Sequence, residues 1–210
     1  HEGQTSQATE EMNDRRDIYA VINIGSSSLA GLLATKSPEG RVEPISAYRI
    51  PSGGCVRQGS IHNIEEAAQR ISSLVDALSK DLPEEATITG VYVGLECRSM
   101  RSEHYDAFID LGPEGSVVTP EHLLTLKDQV NDASYPGMTI LSVTEPRYLC
   151  DGKREPNPRG VRCRRLEAQY LLLVARQNII INVRETIEDR LGLRLLGILP
   201  TPIAEATATM

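Results

Sequence analysis

Ile18-Tyr19-Ala20-Val21-Ile22-Asn23-Ile24-Gly25-Ser26-Ser27-Ser28-Leu29-Ala30-Gly31-Leu32-Leu33-Ala34 is the stretch on which the fold turns. Ile18 to Ile24 predicts an apolar strand, Gly25-Ser26-Ser27-Ser28 a turn, and Leu29 to Ala34 a second strand antiparallel to the first. A Gly/Ser turn between two strands can aim backbone N–H groups and hydroxyls at one point, which holds a phosphate without a charged side chain. Gly25 can adopt positive φ and admit a ligand close to the backbone, and the serines add short hydroxyl donors. The competing reading is a plain tight hairpin with serine as a small polar turn residue.

Working outward, 210 residues suffice for one large domain or two modest ones. With no Trp and a single Phe (Phe108), the core must rest on Leu, Ile, Val and Ala. A net charge of -7 gives no general affinity for nucleic acid. Aromatic and basic residues are not interleaved as base stacking on a single strand would require. Apolar runs such as Leu171 to Ala175 are far shorter than the roughly 20 residues that cross a bilayer. Cys55, Cys97, Cys150 and Cys163 lie far apart, with neither C-x-x-C spacing nor nearby histidines, so reduced structural thiols in a cytosolic protein are expected rather than a zinc site.

The next elements follow from punctuation and period. Val42 to Ile50 predicts a third strand, entered through Pro38-Glu39-Gly40. Asn63 followed by Glu66 is a capping-box pattern. It opens a helix that places Ile64, Ala67, Ala68, Ile71, Leu74, Val75, Leu78 and Leu82 on one stripe before Pro83. Ile88 to Leu95 predicts a strand, and Ala107-Phe108-Ile109 a short one. Thr119-Pro120 starts a helix with Leu123, Leu124, Leu126 and Val130 on its apolar side. Two strands, Met138 to Leu149 and Leu166 to Val174, follow around a Gly/Pro/Arg loop. A helix over 178–191, carrying Ile180, Val183, Ile187 and Leu191 and closed by Gly192, leads to a strand over 193–199. Thr201-Pro202 then opens a helix that has no stop signal by Met210, so the protein is expected to continue.

Three sets of residues carry a family resemblance: Val21 to Ser28; Gly54-Cys55-Val56-Arg57-Gln58-Gly59-Ser60-Ile61 with the helix after it; and Pro146-Arg147-Tyr148-Leu149-Cys150-Asp151-Gly152, Asn157-Pro158 and Gly160-Val161-Arg162 through Leu166-Glu167-Ala168. Together they resemble the FtsA family of actin-like bacterial cell-division proteins over residues 17–210. The last set is the most specific and is similar to the FtsA insert domain. The resemblance implies an α/β chain: half of an actin-like (ribonuclease-H-like) nucleotide-binding fold with an inserted strand-helix-strand-strand α+β domain of SHS2 type. Its expected layout is a disordered tail or appended stretch at 1–16, the actin-like subdomain at 17–87, the insert at 88–176, and the returning subdomain at 177–210.

The same resemblance implies a division scaffold more than an enzyme, with weak ATPase at most. ATP with Mg²⁺ is the implied cofactor of the full-length protein, held in part by Asn23, Gly25, Ser26, Ser27 and Ser28. Implied partners are FtsZ, later division proteins and further copies of itself in filaments. The implied location is the cytoplasmic face of the membrane at the division site, reached through a C-terminal amphipathic helix outside this span. An acidic residue usually stands where this chain has Asn23, which hydrogen-bonds but supplies no charge to a hard cation; that separates nucleotide binding from hydrolysis. An exopolyphosphatase-like phosphohydrolase of the same superfamily is the enzyme alternative, but no Gly-Glu-Glu-type segment follows the first helices. A pilus-assembly actin-like adaptor is the other.

Two energetic readings complete the expectations. Three or four charge-assisted bonds of about 1.5–3 kcal/mol each give roughly 5–12 kcal/mol, against an association cost of about 4–15 kcal/mol. This span by itself is therefore expected to bind no nucleotide measurably. Lys153, Arg154, Arg159, Arg162, Arg164 and Arg165 put six basic residues into thirteen positions of an acidic chain. Arg154, Arg159, Arg162, Arg164 and Arg165 are read as a partner-binding patch, against the alternative of a solvated loop.

Overall fold

Alternation along 18–24 and 28–36 buries one face of each strand, and the two pair antiparallel from Ile18↔Thr35 to Ile24↔Leu29. The fold is seen in a computed structural model that describes residues 18–82, 86, 88, 90–96, 98 and 100–201. The expected tail at 1–16 and the helix expected beyond Thr201 lie outside the described residues.

In chain order the elements begin with β1 (Ile18–Ile24), β2 (Ser28–Lys36), β3 (Val42–Pro51), the two-residue strands β4 (Val56–Arg57) and β5 (Ser60–Ile61), helix α1 (Ile64–Ser79) and β6 (Gly90–Leu95). They continue with β7 (Met100–Asp110), β8 (Ser116–Val117), α2 (Pro120–Asn131), β9 (Met138–Val143), β10 (Arg147–Cys150), β11 (Lys153–Arg154), β12 (Arg162–Cys163) and β13 (Arg165–Arg176). Helix α3 (Gln177–Arg184), a π-helical segment (Glu185–Arg190) and β14 (Arg194–Pro200) complete the elements among the described residues. Two compact units result: His1–Cys97 with Ile181–Met210, and Arg98–Ile180.

The first unit is built on a five-stranded sheet in the order β14-β6-β1-β2-β3. β1, β2 and β3 form the expected antiparallel meander, whereas β6 runs parallel to β1, and β14 parallel to β6. Helix α1 packs on β2 and β3, burying Ala67, Ala68, Ile71, Leu74 and Leu78, with Leu74 and Leu78 lying over Gly31 of β2. Asn63 caps it, its Oδ1 accepting from the Glu66 N–H at 3.0 Å. The reciprocal half of the expected box does not form. The Glu66 carboxylate turns to Arg70 instead (3.0 Å), whose guanidinium also donates to the Pro51 carbonyl. Arg190 of the π segment pairs with Glu65 of α1 at 3.1 Å.

The second unit carries a sheet in the order β11-β10-β13-β7, with β9 also paired to β13. Leu126 and Val130 of α2 pack against Ala107, Leu166, Ala168, Tyr170, Leu172 and Val174. Pro120 follows Thr119 as expected, and His122 Nδ1 accepts from the Thr119 N–H at 3.1 Å. A histidine thus stands where a capping box usually has Glu or Gln.

Several expectations are corrected. The strand expected at 88–95 within the insert lies in the first sheet, because both of its edges are hydrogen-bonded there, to β1 on one side and β14 on the other. The short strand at 107–109 is an eleven-residue strand, held along its length by β13. Met138 to Leu149 is two strands interrupted around Pro146, which has no N–H to donate to a ladder. Leu124 is 57% exposed, outside the stripe that buries Leu126 and Val130. Helix α1 ends at Ser79 rather than running to 82, and the helix read over 178–191 turns π-helical from Glu185.

Candidate functional site

The Gly25 to Ser28 turn joins β1 to β2 at the end of the sheet where the parallel strands β6 and β14 also terminate. Open α/β sheets bind ligands at such strand ends. The turn is closed by the Gly25 N–H donating to the Ser28 carbonyl at 3.0 Å. Gly25 is needed for space rather than for its dihedral freedom. A Cβ there would stand 3.0 Å from the Ser28 oxygen, and its φ is not positive. That corrects the conformational reason given for this glycine.

Three other segments fasten the turn from outside. The Ser52 hydroxyl donates to the Ser26 carbonyl at 2.5 Å, and the Ser52 N–H to the Ser27 carbonyl at 3.2 Å. Ser52 is 1% exposed, so it is a structural clamp. The β4–β5 hairpin turns through Gln58 and Gly59, both at positive φ, as a two-residue hairpin of primed type requires. This places the Gly59 N–H on Ser26 Oγ at 2.9 Å. The segment Gly54 to Ile61 therefore braces the serine turn. Third, the Ser26 N–H donates to Glu96 Oε1 at 3.1 Å.

Glu96 is the residue that the sequence reading missed. It follows β6 directly, and the register Ile24↔Leu95 brings it level with Gly25. An acidic residue closing a buried apolar strand was the signal that could have found it. Asn23 Oδ1 accepts from the Thr201 hydroxyl at 3.0 Å, so Asn23 is engaged at the same strand ends. Ser26 and Ser27 are exposed and Ser28 is half-buried. The hydroxyls of Ser27 and Ser28 make no hydrogen bond among the described residues. The structure thus brings Asn23, Gly25, Ser26, Ser27 and Ser28 together, with a carboxylate seated on one backbone donor. An N–H group that donates to a carboxylate oxygen donates to a phosphoryl oxygen by the same chemistry.

In the second unit the five arginines divide. Arg162 Nη1 donates to the Gly115 carbonyl at 2.7 Å. Arg165 bonds Glu167 at 3.0 Å and lies 4.0 Å over the Phe108 ring. Arg154, Arg159 and Arg164 are exposed and make no ion pair among the described residues. Behind them, Asp151 and Gly152 form a two-residue turn at positive φ between Cys150 and Lys153. Asp151 Oδ1 accepts from the Arg164 and Arg165 N–H groups, each at 2.9 Å.

The fold these units define is a portion of the actin-like ATPase fold, a mixed α/β architecture with an inserted α+β unit. A chain of the PilM–PilN type IV pilus biogenesis complex shares it, with a TM-score of 0.57 at 15% identity over 89% of this chain and 48% of that one. No family model matches the sequence. The chain is 43% identical over 195 residues to the cell division protein FtsA of Porphyromonas gingivalis (strain W83), covering 93% of this chain and 41% of that protein. It is 25% identical over 192 residues to FtsA of Streptococcus pneumoniae (strain D39), covering 90% and 41%. Over this matched span the chain is similar in sequence to FtsA cell division proteins. It covers about two fifths of the length of these relatives.

Proposed function

We propose that this chain is the portion of an FtsA-type division scaffold that carries the first phosphate loop and a partner-binding insert. Its homology to FtsA over 93% of the chain supports the division role. The observation that carries the phosphate loop is the Ser26 N–H, which already holds an anionic oxygen, that of Glu96, at 3.1 Å. Asn23, Gly25, Ser26, Ser27 and Ser28 would hold a nucleoside triphosphate in the full-length protein. A hydrated Mg²⁺ arriving with it needs only one or two protein oxygens, and Asn23 Oδ1 can supply one. ATP bound there gates assembly more than it is consumed, since Asn23 brings no charge to the cation. The scaffold assembles with copies of itself, with FtsZ and with later division proteins, on the cytoplasmic face of the membrane. No helix among the described residues is long and apolar enough to cross a membrane.

The test is nucleotide affinity in a chain of full FtsA length. A unit charge at about 4 Å is worth about 1–4 kcal/mol between aqueous and protein-surface screening. Glu96→Gln is therefore expected to tighten Mg²⁺-free ATP binding about tenfold, with a smaller gain when Mg²⁺ screens the phosphates. Gly25→Val should abolish binding by driving Cβ onto the Ser28 carbonyl. Equal affinities for Glu96→Gln and the native protein would show that phosphate binds elsewhere.

The insert's role rests on the exposed arginines, and the contacts above sharpen its test. Replacing Arg154, Arg159 and Arg164 with Ala should weaken self- or partner association in sedimentation while moving Tm by no more than about 1 °C. Arg162→Ala and Arg165→Ala should each lower Tm by several degrees through lost contacts. Unimpaired association in the triple variant would assign the basic loop to plain solvation.

A further inference from the structure

Cys55, Cys150 and Cys163 are free thiols among the described residues. Cys150 ends β10, opposite Leu166 of β13, and Cys163 ends β12, two residues before β13 begins. Cys163 is 2% exposed inside the second unit's core, and Cys150 packs against the same cluster from a half-buried position. The two side chains share this cluster, Cys163 lying three residues before the Leu166 that faces Cys150 across the ladder. Their backbones are pinned on the same side. Asp151 donates to the Arg165 carbonyl at 2.9 Å, and its carboxylate accepts from Arg164 and Arg165. Neither cysteine is used by the phosphate turn or by the exposed arginines.

We propose that Cys150 and Cys163 are a redox modification site that closes into an intramolecular disulfide by exchange with a small-molecule disulfide. Cys150, the more accessible thiol, attacks one sulfur of the reagent as a thiolate, forming a mixed disulfide and releasing one reagent thiolate. Cys163 then attacks the Cys150 sulfur and expels the second. Two electrons pass from the cysteine sulfurs to the reagent, and the two cysteine protons end on the two reagent thiols. The product is a covalent loop holding residues 151–162, which include Arg154, Arg159 and Arg162.

The surroundings set the rate. Burial pushes the Cys150 thiol up to about 12, helped by the facing Cys163 and by the negative charges of Glu155 and Asp151. Burial also raises Cys163, with Asp151 adding to it. Thiolate is the attacking form, so closure is slow at neutral pH. It accelerates about tenfold for each unit of rising pH while the attacking sulfur remains mostly thiol. The pair therefore answers sustained oxidation rather than a brief pulse.

The test treats the 210-residue chain with oxidised glutathione at pH 8, then alkylates remaining thiols and maps the peptides. The expected result is a Cys150–Cys163 crosslink and a Tm higher by roughly 10 °C, from a constrained unfolded state. In Cys163→Ser the reaction should stop with glutathione on Cys150. In Cys150→Ser, Cys163 should stay unmodified. Either cysteine linking to another partner, or both remaining free in a chain that keeps its native circular dichroism, would overturn the proposal.

Discussion

Leu78→Ala is expected to destabilise the first unit by about 3 kcal/mol, and Gly31→Ala by about 1–2 kcal/mol, yet the double variant should lose less than their sum. Leu78 is fully buried where α1 crosses β2. Truncating it leaves a void that the sheet cannot collapse into. At Gly31 a Cβ would stand 2.5 Å from Leu78 Cδ1 and 3.2 Å from Leu74, so a methyl group there overpacks the seam. Together the changes offset each other, because the alanine methyl at 31 enters the space the leucine vacates. A coupling of about 1 kcal/mol is expected in urea unfolding. Strict additivity would show that α1 and β2 do not meet through this pair.

Asp151→Ala should cost the second unit about 2 kcal/mol, the next largest effect. Two losses combine. Asp151 sits at φ 50, which alanine adopts poorly, and its carboxylate satisfies two backbone N–H groups at the start of β13. Asp151→Asn keeps an acceptor and tolerates the left-handed backbone, so it should lose less than half as much. Asp151→Gly relieves the dihedral but not the acceptor, and should fall between them. If alanine proves as stable as the native residue, the turn is held by the ladder alone. Chemical unfolding followed by far-UV circular dichroism resolves the order.

What the sequence made legible was local. The alternation of β1 and β2, the stripe from Ala67 to Leu78, the Asn63 cap and the Thr119-Pro120 start all follow from period and end chemistry, and each is present. What it hid was pairing at a distance. Glu96 reaches Ser26 across seventy positions of sequence only because β6 lies parallel to β1. A strand buried on both faces announces its neighbours poorly, so 88–95 reads from sequence as part of the insert although it pairs in the first sheet. Strand β7 hid for the opposite reason: Arg101, Glu103, His104 and Asp106 make it look like a loop until β13 supplies its ladder. The π-helical segment left no mark, since Ile180, Val183 and Ile187 keep ordinary helical spacing. For the arginines, charge was legible, but which ones hold the fold and which stay in water depended on Gly115, Glu167 and Phe108.

The second unit interrupts the chain between β6 and β14, two parallel neighbours that need a crossover in any case. Lengthening an obligatory connection raises its closure entropy only with the logarithm of its length. The host sheet therefore carries an 83-residue guest at little more thermodynamic cost than a short helix in the same place. Such a seam lets the inserted unit vary in length and surface while the strand ends that hold the serine turn keep their register.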